Sequence, residues 1–269
     1  MSESYYAAHE GGFQATSLAA SPWDPNNQSG LPMTGLLTYL MDQLASPEPM
    51  LLARVTIEIL RPGPMAPFQA SARIVRDGRR MQNLAATLSH EGVTFAQASA
   101  LRVRLAETPA CEPAGDAYPS PEAAPDRPLV RRNPRQGGME TRLVSGGVTE
   151  AGPGVVWARP ALELLPGVPV TPTVAAAMVS DMGSAVGAAL DSRAWSFANL
   201  DLNVHFVRAP TSDWLLVDAH TITHGNGVGL VETVLADRQG VFGRAHQTLF
   251  IAPQKVRAPA PAKGEPAAP

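Results

Sequence analysis

Between Ser196 and Pro210 apolar and polar residues alternate, Leu200, Leu202, Val204 and Phe206 with Asn199, Asp201, Asn203 and His205. A period of two predicts a strand with one apolar and one polar face. Val55, Ile57 and Ile59 alternate with Thr56 and Glu58 in the same way, just before Arg61-Pro62. Arg61 and Arg208 stand 147 positions apart, an offset that lays Val55, Ile57 and Ile59 on Leu202, Val204 and Phe206. The chain reads as one fold written twice.

Other patterns extend the repeat. From Gly30 to Leu44, Met33, Leu36, Leu37, Leu40, Met41 and Leu44 follow helical spacing, with Ser29 as N-cap and Pro47 and Pro49 beyond the end. Phe13–Leu18 predicts a short strand, and Leu51–Leu60, Phe68–Arg76, Met81–His90 and Val93–Val103 predict a series of strands. Asp77-Gly78 and Glu91-Gly92 predict the hairpin turns between them. The second copy opens with a strand at Gly154–Arg159 and a helix over Thr173–Leu190, started by Thr171 and Pro172. Its strands fall at Ser196–Val207, Trp214–Thr223, Leu230–Asp237 and Val241–Ile251. Gly78 matches Gly225 at the offset of 147, and Gly92 matches Gly240 at 148, as if one residue had slipped in between. A helix followed by an antiparallel run of strands, twice, is an α+β layout.

Periodicity disappears from Glu107 to Gly138, where proline, alanine and charge predict a surface linker. The chain is therefore divided into an N-terminal unit (1–105), a linker (106–140), a C-terminal unit (141–254) and a disordered Ala/Pro/Lys tail (255–269). A net charge of −3 with no basic stripe gives no case for nucleic acid. No apolar run approaches the ~20 residues that span a bilayer. The N-terminal residues carry no signal-peptide pattern, and the single cysteine, Cys111, suits a reducing compartment, so a cytoplasmic setting is expected.

Candidate chemistry centres on the second helix, which is apolar almost all round and so reads as buried. Asp181 is its only ionisable residue before Asp191, in a stripe with Val174, Met178, Ala185 and Ala188. A buried carboxylate needs hydrogen-bond donors or a function that tolerates its desolvation, and both readings stand at this point. The offset of 147 lays Asp181 on Thr34 and Asn199 on Leu52, and that of 148 lays Gln247 on Ser99. Polar residues confined to one copy of a duplicated fold are better candidates for a site than for packing. Other constellations are weaker. His224-Gly225-Asn226-Gly227 is a turn without dinucleotide-binding spacing, and Gly183-Ser184 lies inside a helix pattern rather than on a nucleophile elbow. Six histidines without cysteine partners, the one i,i+4 pair (His220 and His224) falling on a strand and its turn rather than on a helix, give no metal site. His205 and His246 are candidates to face the site or to lie on the sheet surface. Trp157, Trp195 and Trp214 read as packing residues.

With V-S-D-M on the second helix, N-L-D-L-N-V-H-F-V-R-A-P with W-L-L on the strands, and A-H-Q-T in the last strand, the chain resembles the double-hotdog acyl-CoA thioesterases over about residues 11–252. The resemblance implies two tandem hotdog units, each an antiparallel sheet wrapped around a central helix, forming a double hotdog. It places the family's catalytic Asp on Asp181 and its Gln on Gln247, with Asn199 where the family usually has Thr or Ser. It implies water attack on an acyl thioester in lipid metabolism, with no covalent intermediate. Asp181 would act as general base or orient the water, Asn199 and Gln247 would hold it, and an oxyanion would be met by amides near the start of the second helix. The implied partners are an acyl-CoA substrate and further copies of the chain in a homodimer or higher homo-oligomer, with no cofactor, metal, nucleic acid or membrane span. Two other readings stay open. One is a non-catalytic acyl-CoA or acyl-chain binder. The other is a hotdog hydratase or dehydratase, whose D-x-N-P-x-H pattern is approached only by Asp24-Pro25-Asn26-Asn27, with no histidine after it.

Overall fold

The structure is a computed structural model in which residues 3–111, 118–125, 127, 129, 138–148 and 150–254 are described. Two short strands, β1 (Tyr6–His9) and β2 (Gly12–Ala15), precede helix α1 (Gly30–Asp42). Four longer strands follow: β3 (Met50–Ile59), β4 (Pro67–Arg76), β5 (Met81–His90) and β6 (Val93–Arg104). The second half runs β7 (Met139–Ser145), β8 (Gly154–Pro160), α2 (Pro172–Ser180), α3 (Gly183–Val186), β9 (Trp195–Asn199), β10 (Asp201–Phe206), β11 (Leu215–Thr223), β12 (Val228–Asp237) and β13 (Gly240–Pro253). The strands form one antiparallel sheet in the order β1-β2-β4-β5-β6-β3-β10-β13-β12-β11-β8-β7, with β9 also on β13. The order β2-β4-β5-β6-β3 of the first half recurs as β8-β11-β12-β13-β10 in the second, entered from the opposite edge.

The repeat is visible to the residue. At the central junction Val55 pairs with Val204, Thr56 with Asn203 and Ile57 with Leu202. Thr56 and Asn203 are 147 positions apart and pair with each other, so a local twofold passes between them. The Thr56 hydroxyl donates to Asn203 Oδ1 across it at 2.7 Å. Register breaks at Leu88/Ser89 and at Leu235/Ala236, matching bulges 147 apart. The slip inferred from Gly92 and Gly240 is not an inserted residue. His90 pairs with Val93 and Asp237 with Gly240, again 147 apart, so glycine simply occupies a different place in each turn. This corrects one correspondence: Gln247 sits on Val231 as Ala100 sits on Leu84, so its counterpart is Ala100, not Ser99.

The helices do not follow the strand offset. Their N-caps, Ser29 and Thr171, are 142 positions apart, so Asp181 does not fall on Thr34. Nor is Thr173–Leu190 one helix, because α2 stops at Ser180 with Asp181 as its C-cap, and only the short α3 follows. Leu36, Leu37 and Met41 of α1 and Val174, Met178 and Val179 of α2 are fully buried against the sheet and each other. Burial of each such side chain is worth roughly 1.5–3 kcal/mol. The helices touch where Gly35 meets Met178; a Cβ on Gly35 would come within 2.8 Å of the methionine Cγ.

β1 and β7 have no counterpart among the expected strands. Part of the expected linker packs on the second half: Tyr118 donates to Asp218 Oδ2 at 2.7 Å, and Trp157 Nε1 donates to the Pro119 carbonyl. Ala124 is buried there with Trp157, Trp214 and Leu216. The tail, 255–269, lies outside the described residues. Among the described residues no helix is long and apolar enough to cross a membrane, and no cluster of His, Cys, Asp and Glu is suited to a metal ion.

Candidate active site

α2 ends because its hydrogen-bond ladder is interrupted. Asp181 N–H bonds to Met178 O and Met182 N–H to Val179 O, three residues back, which tightens the last turn. The Gln247 carboxamide enters the gap from β13: its Nε2 donates to the Asp181 carbonyl at 3.3 Å and its Oε1 accepts from Ser184 N–H at 3.1 Å. A side chain inserted into the ladder is a recognised cause of a helix break. Gly183 makes room, since a Cβ there would lie 2.7 Å from Gln247 Oε1.

Asn199 reaches the same place by a bulge. Asn199 pairs with Leu249 in β9–β13, whereas Asn203 pairs with His246 in β10–β13, so the register slips by one residue around Leu200. A slip of one residue reverses the faces of a strand. Leu200, expected inside, is 45 % exposed, and Asn199, expected on the polar face, turns toward the helix. Its Nδ2 donates to Asp181 Oδ1 at 2.9 Å.

Asp181 thus stands at the end of α2 with its carboxylate against the start of α1, where a Cβ on Gly30 would lie 2.9 Å from both carboxylate oxygens. Burial pushes this carboxyl up to about 6, and the Asn199 hydrogen bond pulls the other way. Ser29, the N-cap of α1, makes no side-chain bond to the helix, and Pro32 has no N–H to offer. Gly30 and Leu31, the first residues of α1, line the cavity, and Ser29 gives the first turn no side-chain cap. The start of α2, where the resemblance put an oxyanion, is about 13 Å from Asp181 at 1.5 Å per helical residue; the amides beside Asp181 belong to α1.

Asp181 and Asn199 line a cavity of about 510 Å³ between the two halves. Its wall is mostly apolar, including Leu31, Met33, Ile59, Met139, Met182 and Phe197. Gln247 is 1 % exposed and lies behind the wall with both ends of its amide bonded to backbone. The three residues singled out in the sequence are therefore together, two at the cavity and one supporting it. His205 and His246 are exposed on the outer sheet face, opposite the buried Val204 and Ala245. Asp201 is likewise committed elsewhere, accepting from Thr248 N–H at 2.6 Å. The residues that the sequence did not offer as site candidates are Gly30 and Leu31; the signals for them were the Ser29 cap and the turn-rich stretch before it.

Residues 110–251 match the family description acyl-CoA thioesterase C-terminal domain, and residues 19–103 match the acyl-CoA thioesterase N-terminal domain. Among curated proteins no sequence match is found. Similar solved structures include a conserved protein of unknown function with a hot dog fold from Alicyclobacillus acidocaldarius, 18% identical, with TM-score 0.72, covering 94% of this chain and 96% of that one. The acyl-CoA thioesterase II TesB2 of Mycobacterium marinum is 19% identical with TM-score 0.65, covering 88% of this chain and 97% of its own. The tesB protein of Mycobacterium avium subs paratuberculosis is 18% identical with TM-score 0.67, covering 87% and 91%. These likenesses identify the antiparallel sheet and its helices as a hotdog fold, and by its two matched domains the chain belongs to the acyl-CoA thioesterase family.

Proposed function

We propose that the chain is a double hotdog, with units at 1–105 and 141–254, that hydrolyses a fatty acyl-CoA to the free acid and CoA. The observation that carries this reading is the Asp181 carboxylate at the wall of an apolar cavity, pushed up to about 6 by burial and lying beside Gly30 at the start of α1. A base tuned close to the working pH is what general-base catalysis needs. In the proposed reaction Asp181 removes a proton from water as the water oxygen bonds to the thioester carbonyl carbon. The carbonyl oxygen becomes an oxyanion, met by the Gly30 and Leu31 amides and the positive end of α1. Collapse breaks the carbon–sulfur bond, and the leaving CoA sulfur takes the proton back from Asp181. Asn199 orients the carboxylate, and Gln247 acts as a positioning residue by fixing the helix break. The apolar wall takes the acyl chain. The reading includes a cytoplasmic setting, in keeping with the exposed free thiol of Cys111, and assembly as a homodimer or higher homo-oligomer.

Thiol release across a panel of acyl-CoA chain lengths, set beside direct binding, tests the proposal. Turnover at one or more chain lengths, lowered about 10²-fold or more in Asp181→Asn, is expected. Binding without release at any length would assign the protein to the non-catalytic binders instead.

A further inference from the structure

A CoA thioester carries several phosphate charges, yet among the described residues the cavity wall has no Lys, Arg or His, and its charged residues there are Asp24 and Asp181. The nucleotide end must therefore rest outside, on the rim. Among the described residues four arginines stand within two positions of the wall: Arg142, beside Thr141, donates to the Pro121 carbonyl, and the others are Arg61, Arg127 and Arg193. Arg193 is held by both oxygens of Asp191 at 2.8–3.1 Å, and Arg127 donates to the Gly146 carbonyl. Arg61, beside Pro62 of the wall, is exposed and makes no side-chain hydrogen bond or ion pair among the described residues.

The internal repeat gives that freedom meaning. Arg208, the counterpart of Arg61, is tied to both oxygens of Asp237 at 2.7 and 2.8 Å and to the Gly240 carbonyl. Asp237 has His90 as its counterpart in the first half, and the His90 ring turns away to the Pro67 carbonyl at 2.7 Å. The same strand-end arginine is thus tied down in one half and, among the described residues, unpaired in the other, where its neighbour Pro62 lines the cavity.

A second feature stands on the same rim. Trp23 lines the cavity and is 60 % exposed. Its loop is stiff: Ser21 N–H bonds to Asn27 O, and the Asp24 carboxylate accepts from Asn26 N–H, Asn26 Nδ2 and Asn27 Nδ2. That occupation also leaves little of Asp24 to repel an anion. The loop is fastened to the Arg61 loop, since Gln28 N–H bonds to Gly63 O at 2.8 Å and Gln28 Nε2 to Pro64 O at 2.6 Å. An exposed indole offers a stacking face for a purine, and a guanidinium offers a fork for phosphate.

We infer that Trp23 and Arg61 form the docking rim for the adenine and phosphates of CoA, an assignment that rests on the thioesterase reading. Both side chains are exposed, so Trp23→Ala and Arg61→Ala are expected to fold. Each should raise KM for an acyl-CoA by about tenfold, the scale of one charge-assisted contact, with kcat little changed. The effect should vanish with the matching N-acetylcysteamine thioester, which keeps the acyl group and sulfur but has no nucleotide. Raised salt should weaken acyl-CoA binding less in Arg61→Ala than in the unaltered chain. Arg79→Ala, another exposed strand-end arginine, serves as the control and should leave KM unchanged. An unaltered KM for acyl-CoA in both variants overturns the inference, as do equal losses on the long and truncated substrates. If the unaltered chain hydrolyses neither thioester, the hydrolase reading fails, and calorimetric titration with CoA judges the rim alone. CoA binding weakened in both variants supports it; no CoA binding, or binding indifferent to both changes, overturns it.

Discussion

Helices α1 and α2 each end against the start of the other, and the two junctions are finished in opposite ways. Where α1 ends and α2 begins, Arg102 is buried and donates to the carbonyls of Met41, Asp42 and Leu44 and to Gln82 Oε1. Asp42 lies there beside Thr171, its carboxyl pushed up by burial and pulled back by Arg102 and that threonine. Where α2 ends and α1 begins, the carbonyl of Asp181 is met by the amides of Gln247 and Asn199, and the carboxylate faces a cavity. Both junctions satisfy the orphan carbonyls that any helix end presents. One does so with a charged plug that fills the space; the other uses neutral amides and leaves the space open beside an unneutralised acid. The strand counterparts agree, since Asn199 and Gln247 match Leu52 and Ala100, and Leu249 matches Arg102. A carboxylate is therefore present at both ends of the pair, and what distinguishes the open end is that no cation among the described residues fills it.

The sharpest test of that difference replaces the two acids in turn. Asp181→Asn keeps a hydrogen-bonding side chain of the same size and removes the proposed base, and should lower kcat by about 10²-fold or more. Asp42→Asn should leave kcat where it was. Steady-state thiol release with one acyl-CoA measures both, and comparable losses would mean that the filled junction also takes part in turnover.

The plug can be tested through stability. Arg102→Leu strands three carbonyls, Gln82 and Asp42 in a covered place, and should destabilise the protein by about 2–4 kcal/mol. Urea unfolding reads this directly. A loss well below this range would show that the arginine is not what closes the first junction.

A third test uses pH. The folded pKa of Asp181, about 6, lies above the ordinary carboxyl value of 3.8. Stability from such a group is fully present below the unfolded value and is lost as pH rises through the folded one, because the folded state then gives up a proton it holds more tightly. Between pH 4 and pH 7 the unaltered chain should therefore lose about 1–3 kcal/mol relative to Asp181→Asn, which has no proton to lose. Thermal melts of the two across this window measure the difference, and parallel curves would show that the carboxyl is not perturbed by burial.

Much of this was legible in the sequence because the strands carry their faces openly. The alternation around Val55 and Val204, the offset of 147 and the polar excess of the second copy all follow from residue types alone. Three features were not legible. A helix apolar all round reads as continuous, and nothing in its own residues announces that Gln247, some sixty positions later, splices into its ladder. The bulge at Leu200 reverses the strand's faces without any glycine or proline to mark it, so alternation put Asn199 on the wrong side. No fixed offset leads to Asp42, since the 142 positions between the N-caps lay Asp181 on Tyr39 and the two acids correspond only as the ends of helices of unequal length.

The smallest expected effect concerns Asn199, whose amide is the donor that pulls the Asp181 carboxyl down against burial. Asn199→Leu copies Leu52 of the first half and removes that donor. Turnover near pH 6 should fall by about 1–2 kcal/mol of transition-state stabilisation, the scale of one lost hydrogen bond to a charged group. The shape of the pH profile separates this from a packing defect. In the unaltered chain kcat should rise through a pKa near 6 as Asp181 ionises, because the base acts in its deprotonated form. In Asn199→Leu the same rise should move to higher pH and part of the loss should be recovered there, whereas a merely disturbed cavity would lower the whole profile without moving it. Asn199→Thr supplies a hydroxyl that can still donate to the carboxylate and should hold the midpoint near its original place. A midpoint that stays fixed in Asn199→Leu would remove Asn199 from the control of Asp181. The open junction would then differ from the filled one by its missing arginine alone.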